Sequence, residues 1–151
     1  MTVIKDHHVQ GRKGEIDGNR VNTEFVRFVK SLREEYPNIP VRYVFADSAE
    51  QYLINGMRSV IRGMGLSIGD SQKVEIVQRI ICANSLFNTG RLKVMKECES
   101  VIDGFRSAVW DSKAAATGKD KRLDDFTSDI DILDATEYSF ERFIPKLTPR
   151  T

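Results

Sequence analysis

Ser128-Asp129-Ile130-Asp131-Ile132-Leu133-Asp134-Ala135-Thr136-Glu137-Tyr138 sets acids at helical spacing inside a segment that otherwise reads as a buried helix. A carboxylate in such surroundings must be paired, protonated or bound to a cation, because an uncompensated buried charge is very costly. Asp131 and Asp134 are three residues apart, hence neighbours on one helical face, and Tyr138 follows four residues after Asp134. A divalent cation would remove their mutual repulsion, and hard oxygen ligands suit Mg²⁺ or Mn²⁺. The competing reading makes Asp129 the helix cap and leaves the other acids as partners of the helix dipole. The spacing predicts a helix from about Ser128 to Phe143, anchored in the core by Ile130, Leu133 and Phe140 and ended by Pro145.

Working upstream, Ser112 to Asp125 reads as a flexible loop, and its run Lys113 to Arg122 is locally basic. Lys119, Lys121 and Arg122 are candidates for phosphate contacts there. Cys98, Val101, Ile102 and Phe105 form the stripe of a helix over Glu97 to Arg106. Arg91 to Val94 and Leu66 to Ile68 are short strands. Ser71 to Phe87 is a predicted helix with Val74, Val77, Ile80 and Ile81 inward. Ser48-Ala49-Glu50-Gln51 fits a capping box and predicts a helix carrying Tyr52, Leu53, Ile54, Met57 and Ile61. Immediately before it, Val41 to Ala46 is a strong strand that delivers Asp47 to its carboxyl end, where open α/β sheets place their sites. The plainer role for Asp47 is to assist the following helix terminus. Phe25, Phe28, Val29, Leu32 and Tyr36 mark one more amphipathic helix, and Thr2 to Gln10 reads as a half-exposed strand. Helices alternating with short strands give an α/β or α+β sandwich in one domain, 1–151.

The 151 residues suffice for a real core, and the net charge of +1 announces no global affinity for nucleic acid, so DNA contact would need a local basic patch. Cys82 and Cys98 sit in apolar-periodic segments and read as small buried thiols of a reducing compartment. His7 and His8 are adjacent on a strand, face opposite ways and make a poor joint metal site. No apolar run approaches the ~20 residues that cross a bilayer, so no membrane partner is expected and the chain is expected in the cytoplasm. No GxxxxGK[ST] phosphate loop is present.

The order of these pieces resembles the C-terminal nuclease domain of phage terminase large subunits. It runs through Tyr43-Val44-Phe45-Ala46-Asp47-Ser48-Ala49, Ile54-Asn55-Gly56-Met57-Arg58, Gly90-Arg91-Leu92-Lys93-Val94, Val109-Trp110-Asp111, a basic loop, and Asp131-Ile132-Leu133-Asp134-Ala135-Thr136-Glu137-Tyr138. The resemblance implies a ribonuclease H-like fold, a mixed sheet flanked by helices. It also implies a host-cytoplasmic, phage or prophage endonuclease that cuts double-stranded DNA with two divalent ions, Mg²⁺ or Mn²⁺. Asp47 and Asp134 correspond to the family's second and last acids. Asp131 stands where the family often has a histidine, keeping an acceptor and a possible ligand. The terminase motor domain, portal and small terminase subunit are the partners this implies. Such sites take a first aspartate from the first strand. This chain is expected to start after that strand, truncated at its amino end, with Asp6 as the only candidate replacement. The alternative is a docking module of a packaging complex that keeps the fold without the chemistry.

Overall fold

The apolar spacing of the amino-terminal half is matched closely by its helices in the computed structural model, which describes residues 1–9, 17–125 and 129–148. Helix α1 (Gly18–Glu35) begins where the Asp17 carboxylate accepts the Arg20 N–H at 2.7 Å and ends before Pro37, which cannot continue it. Strand β2 (Tyr43–Ala46), helix α2 (Gln51–Val60) and strand β3 (Ser67–Asp70) form a βαβ unit, with β2 and β3 parallel and Ala46 opposite Asp70. Parallel pairing requires a crossover of this kind. Gly56 permits α1 and α2 to approach closely, since a Cβ there would lie 2.9 Å from the Asn22 side chain. The capping box does not form. The Ser48 N–H donates to Ser71 Oγ at 3.0 Å, and Gln51 Nε2 donates back to the Ser48 carbonyl. The helix therefore starts after this turn rather than at Ser48.

These elements belong to one of two compact units, the described residues of His7–Ser71. The other joins Met1–Asp6 to the described residues from Gln72 onward. Strand β1 (Thr2–Val3) pairs in parallel with β4 (Lys93–Val94), so only the first part of the expected Thr2–Gln10 strand is extended pairing; Gln10 lies outside the described residues. The α/β class holds, its strands forming two separate parallel pairs among the described residues.

In this second unit, α3 (Ile76–Asn88) begins five residues later than its periodicity predicts. The reason is the buried Glu141 carboxylate, which accepts the backbone N–H groups of Gln72 and Val74 and so diverts that segment from helix. The inward face of α3 is Arg79, Cys82, Ala83 and Leu86, while Ile81, expected inside, is 56% exposed. Helix α4 (Glu99–Ser107) follows its stripe, and the Val101 N–H donates to Asp6 Oδ2 at 3.1 Å. The expected loop after Trp110 contains a short helix, α5 (Ser112–Ala115), capped by Asp111. Helix α6 (Ile130–Tyr138) is shorter than predicted. The chain turns at Ser139, passes through a 3-10 turn (Glu141–Phe143), and re-enters helix as α7 (Ile144–Leu147), which Pro145 opens rather than closes. Phe140 and Glu141 are buried by this break. Cys82, Ala83, Leu86, Leu92 and Phe140 form the core, and both cysteines are free and buried as expected. Burial pushes both thiols up from their ordinary pKa, which keeps them unreactive. No helix among the described residues is long and apolar enough to cross a membrane.

Helices α4 and α6 meet at Gly104, where an added Cβ would lie 2.9 Å from Ile132 Cγ2 and 3.2 Å from two Leu133 atoms. A helical Gly→Ala change ordinarily gains ~1 kcal/mol, whereas overpacking costs about 1–3 kcal/mol. Ile132 branches at its Cβ and has little room to give. Gly104→Ala is therefore expected to lower stability, by up to about 2 kcal/mol, in urea unfolding; a stabilised variant would show that the contact yields.

Candidate functional site

The acid-bearing helix α6 resolves the question its sequence poses. Asp129 caps it, accepting the Ile132 N–H at 3.2 Å, and Leu133 and Tyr138 turn inward. Glu137 lies on that inward face and is 0% exposed. Two arginines from other elements meet it. Arg79 of α3 approaches Glu137 Oε2 at 3.1 Å and donates to Asp134 Oδ1 at 2.9 Å. Arg122 donates from Nη1 to Asp134 Oδ1 and to Glu137 Oε2, both at 3.2 Å, and from Nη2 to Glu137 Oε1. The Arg79 guanidinium also stands 5.4 Å from the centre of the Tyr138 ring, with Lys73 Nζ at 5.8 Å, both within cation–π range. Two positive and two negative side chains thus close a neutral cluster. Burial pushes the Glu137 pKa up, and Arg122 and then Arg79 oppose that shift.

Arg122 reaches the cluster because residues 109–111 and 121–123 form a short antiparallel stem. Trp110 bridges Arg122, the Asp111 N–H donates to the Lys121 carbonyl, and the Leu123 N–H donates to the Val109 carbonyl, each at 2.9 Å. Lys119 and Lys121 are exposed on this hairpin, as a phosphate-contacting role needs. Arg122, expected with them, is instead buried and spent on carboxylates. Asp131 is exposed in the first turn of α6. Asp47 lies in the other unit at the carboxyl end of β2, where its Oδ1 accepts the Ala49 N–H at 2.9 Å, the helix-approach role.

The donor set decides how this cluster stands toward Mg²⁺ or Mn²⁺. Asp134 is one-third exposed, but its Oδ1 already carries two guanidinium hydrogen bonds. A dication beside it would face two fixed positive charges, a repulsion on the order of several kcal/mol at the effective dielectric of protein interiors. Among the described residues no three His, Cys, Asp or Glu side chains group as a metal ion requires. As arranged, the cluster is an ion-pair network and does not fit a resident divalent metal.

With this geometry described, comparison with known proteins identifies the architecture. The large terminase of the thermophilic bacteriophage D6E superposes on 92% of this chain in one crystal form, with a TM-score of 0.62 and 21% identity. Another crystal form gives a TM-score of 0.64 at 20% identity over 91% of the chain. The same large terminase in complex with ATP-γ-S gives 0.61 at 20% identity over 88%. The chain shares its fold with part of a large terminase. It spans about a third of that protein, 31–32% of its length. No protein-family model matches the chain, and no curated protein sequence does.

Sequence reasoning missed Arg79 and Glu137 as members of the site. The signal was present: Arg79, Cys82, Ala83 and Leu86 fall at i, i+3, i+4 and i+7, so the inward stripe of α3 includes its arginine. Glu137, three residues after Asp134 and four after Leu133, shares the buried face of α6 in the same way.

Because burial raises the Glu137 pKa, the folded chain holds that proton more tightly than the unfolded chain. Its contribution to stability therefore falls as pH rises from the ordinary carboxylate range through the raised value. Arg122→Met leaves Glu137 with one fewer counter-charge and is expected to cost about 3–5 kcal/mol near neutral pH. Part of that loss should return at mildly acidic pH, where a protonated Glu137 needs no partner. Urea unfolding at both pH values checks this; an equal loss at both would mean that Glu137 is not the group left unpaired.

Proposed function

We propose that the chain is a portion of a viral DNA-packaging large terminase and that this portion carries the nuclease, a ribonuclease H-like endonuclease acting on double-stranded DNA with Mg²⁺ or Mn²⁺. The fold shared with the D6E large terminase over nine-tenths of the chain carries this reading. The succession Asp-Ser-Ala after a strand, Trp-Asp before a basic hairpin, and Asp-Ala-x-x-Tyr on the last long helix supports its finer part. On this reading Asp47, Asp131 and Asp134 are the acids of the reaction, and Lys119 and Lys121 contact phosphates. A motor domain, portal and small terminase subunit would be the partners in packaging.

One observation favours a second reading, a docking module without chemistry: Asp134 is already held by Arg79 and Arg122. For Asp134 to serve a metal ion, it must give up at least part of that pairing, which predicts weak metal affinity and slow cleavage. The test is plasmid cleavage by the 151-residue chain in Mn²⁺, with Asp134→Asn beside it. The amide keeps the side chain's size and one acceptor for the arginines while removing the charge. Slow cleavage that Asp134→Asn abolishes supports the nuclease; cleavage that survives the substitution would falsify this assignment of the acids. Absence of both cleavage and Mn²⁺ binding leaves the docking reading. Lys119→Ala and Lys121→Ala should each weaken DNA binding and lower the slope of log K against log salt by about 1.

A further inference from the structure

Beside the ion cluster, a cavity of about 180 Å³ opens between α3, the end of α4, the hairpin stem and α6. Its walls include the apolar side chains Ile80, Phe105 and Leu133, and Arg122 and Glu137 give it a polar end. Trp110 also lines it, although the residue is 47% exposed. An indole left half in water beside an unfilled space with both apolar and polar walls offers a free stacking face. The space is smaller than the ~300–1,000 Å³ of sites for drug-sized ligands, so it suits a single flat ring system. The charges at its polar end cancel, which disfavours a free phosphate or a cation and favours a neutral group with donors and acceptors on one edge. Asn84, also lining the cavity and exposed, adds an amide with both.

The position of Trp110 in the chain narrows the ligand further. It sits on the stem of the hairpin, whose exposed lysines are Lys121 on the stem and Lys113 and Lys119 farther out. Lys113, Lys119 and Lys121 outweigh Asp120 on this arm, and an aromatic face at the foot of a net-positive arm is the arrangement that holds single-stranded nucleic acid, where bases stack on side chains and phosphates follow the positive charge. We propose that this cavity receives one unstacked base of single-stranded DNA against the Trp110 indole, while the hairpin lysines follow the adjoining phosphates. A base within a duplex is stacked and paired on both sides and cannot enter. The site therefore takes a frayed end or an unpaired strand. The proposal rests on the DNA-acting reading above for the identity of the polymer, but it uses none of Asp47, Asp131 or Asp134.

Trp110 is the chain's single tryptophan, so its fluorescence reports on this site alone. Titration of the 151-residue chain with oligo(dT), with a duplex of the same length and with thymidine monophosphate is the experiment. The single strand is expected to quench the indole strongly, the mononucleotide weakly, and the duplex to bind without quenching. Ala108→Leu fills the cavity from its wall while keeping the indole, and Trp110→Ala removes the stacking face. Read by anisotropy of a labelled strand, each should weaken single-strand binding by about tenfold, the scale of one base–aromatic stack, and leave duplex binding unchanged. Absence of quenching by both oligo(dT) and the mononucleotide overturns the proposal. So does quenching by an aromatic peptide in their place, or an Ala108→Leu variant that binds the single strand as well as the parent. Cleavage is not measured in any arm, so a chain inactive as a nuclease can still give the expected result.

Discussion

The pairing of Arg79 and Arg122 with Asp134 and Glu137 is the constraint from which most of the carboxyl-terminal architecture follows. Four charged groups leave bulk water together, and their desolvation is tolerable only because each faces opposite charge at hydrogen-bonding distance. That requirement fixes the rotation of α3, which must present an arginine where an aliphatic residue would ordinarily sit. It fixes the hairpin stem, which must deliver Arg122. It fixes the face of α6, which must carry Glu137 inward beside Leu133. Each element is thereby held to the other two by directional bonds, which specify geometry more sharply than apolar contact does.

Backbone N–H groups satisfy two further carboxylates, the buried Glu141 and the half-buried Asp6. Glu141 is satisfied by two backbone N–H groups of the segment before α3, and Asp6 by one in the first turn of α4. In both cases the carboxylate substitutes for a missing backbone acceptor, so the acids act as connectors between segments distant in sequence. On the proposed nuclease reading, Asp134 would have to serve both the reaction and the ion pairs that hold it to Arg79 and Arg122.

Most helices were legible from period alone. Helix α1 and helix α4 follow their apolar stripes, and β2 follows its run of β-branched and aromatic residues. What was not legible came from long-range polar contacts that no local pattern encodes. The start of α3 was misplaced because Glu141, 69 residues from Gln72, captures the backbone there. The end of α6 was misplaced because Phe140 must turn into the core. By sequence Arg122 is a candidate phosphate contact because it shares a basic run with Lys119 and Lys121; only the stem pairing with Trp110 distinguishes it. The question raised by the acids, whether they are paired, protonated or metal-bound, was correctly posed by sequence, and for Asp134 and Glu137 the arrangement answers with pairing.

The pairing of β1 with β4 bears on the chain's synthesis. Thr2 and Val3 leave the ribosome some ninety residues ahead of their partners Lys93 and Val94. At roughly 5–20 residues per second, that interval lasts several seconds, during which the strand has no ladder to join. The described residues of the His7–Ser71 unit are all made before then. The β1 segment should therefore be incorporated late, and a translational pause before Lys93 would prolong its exposure to chaperones and proteases.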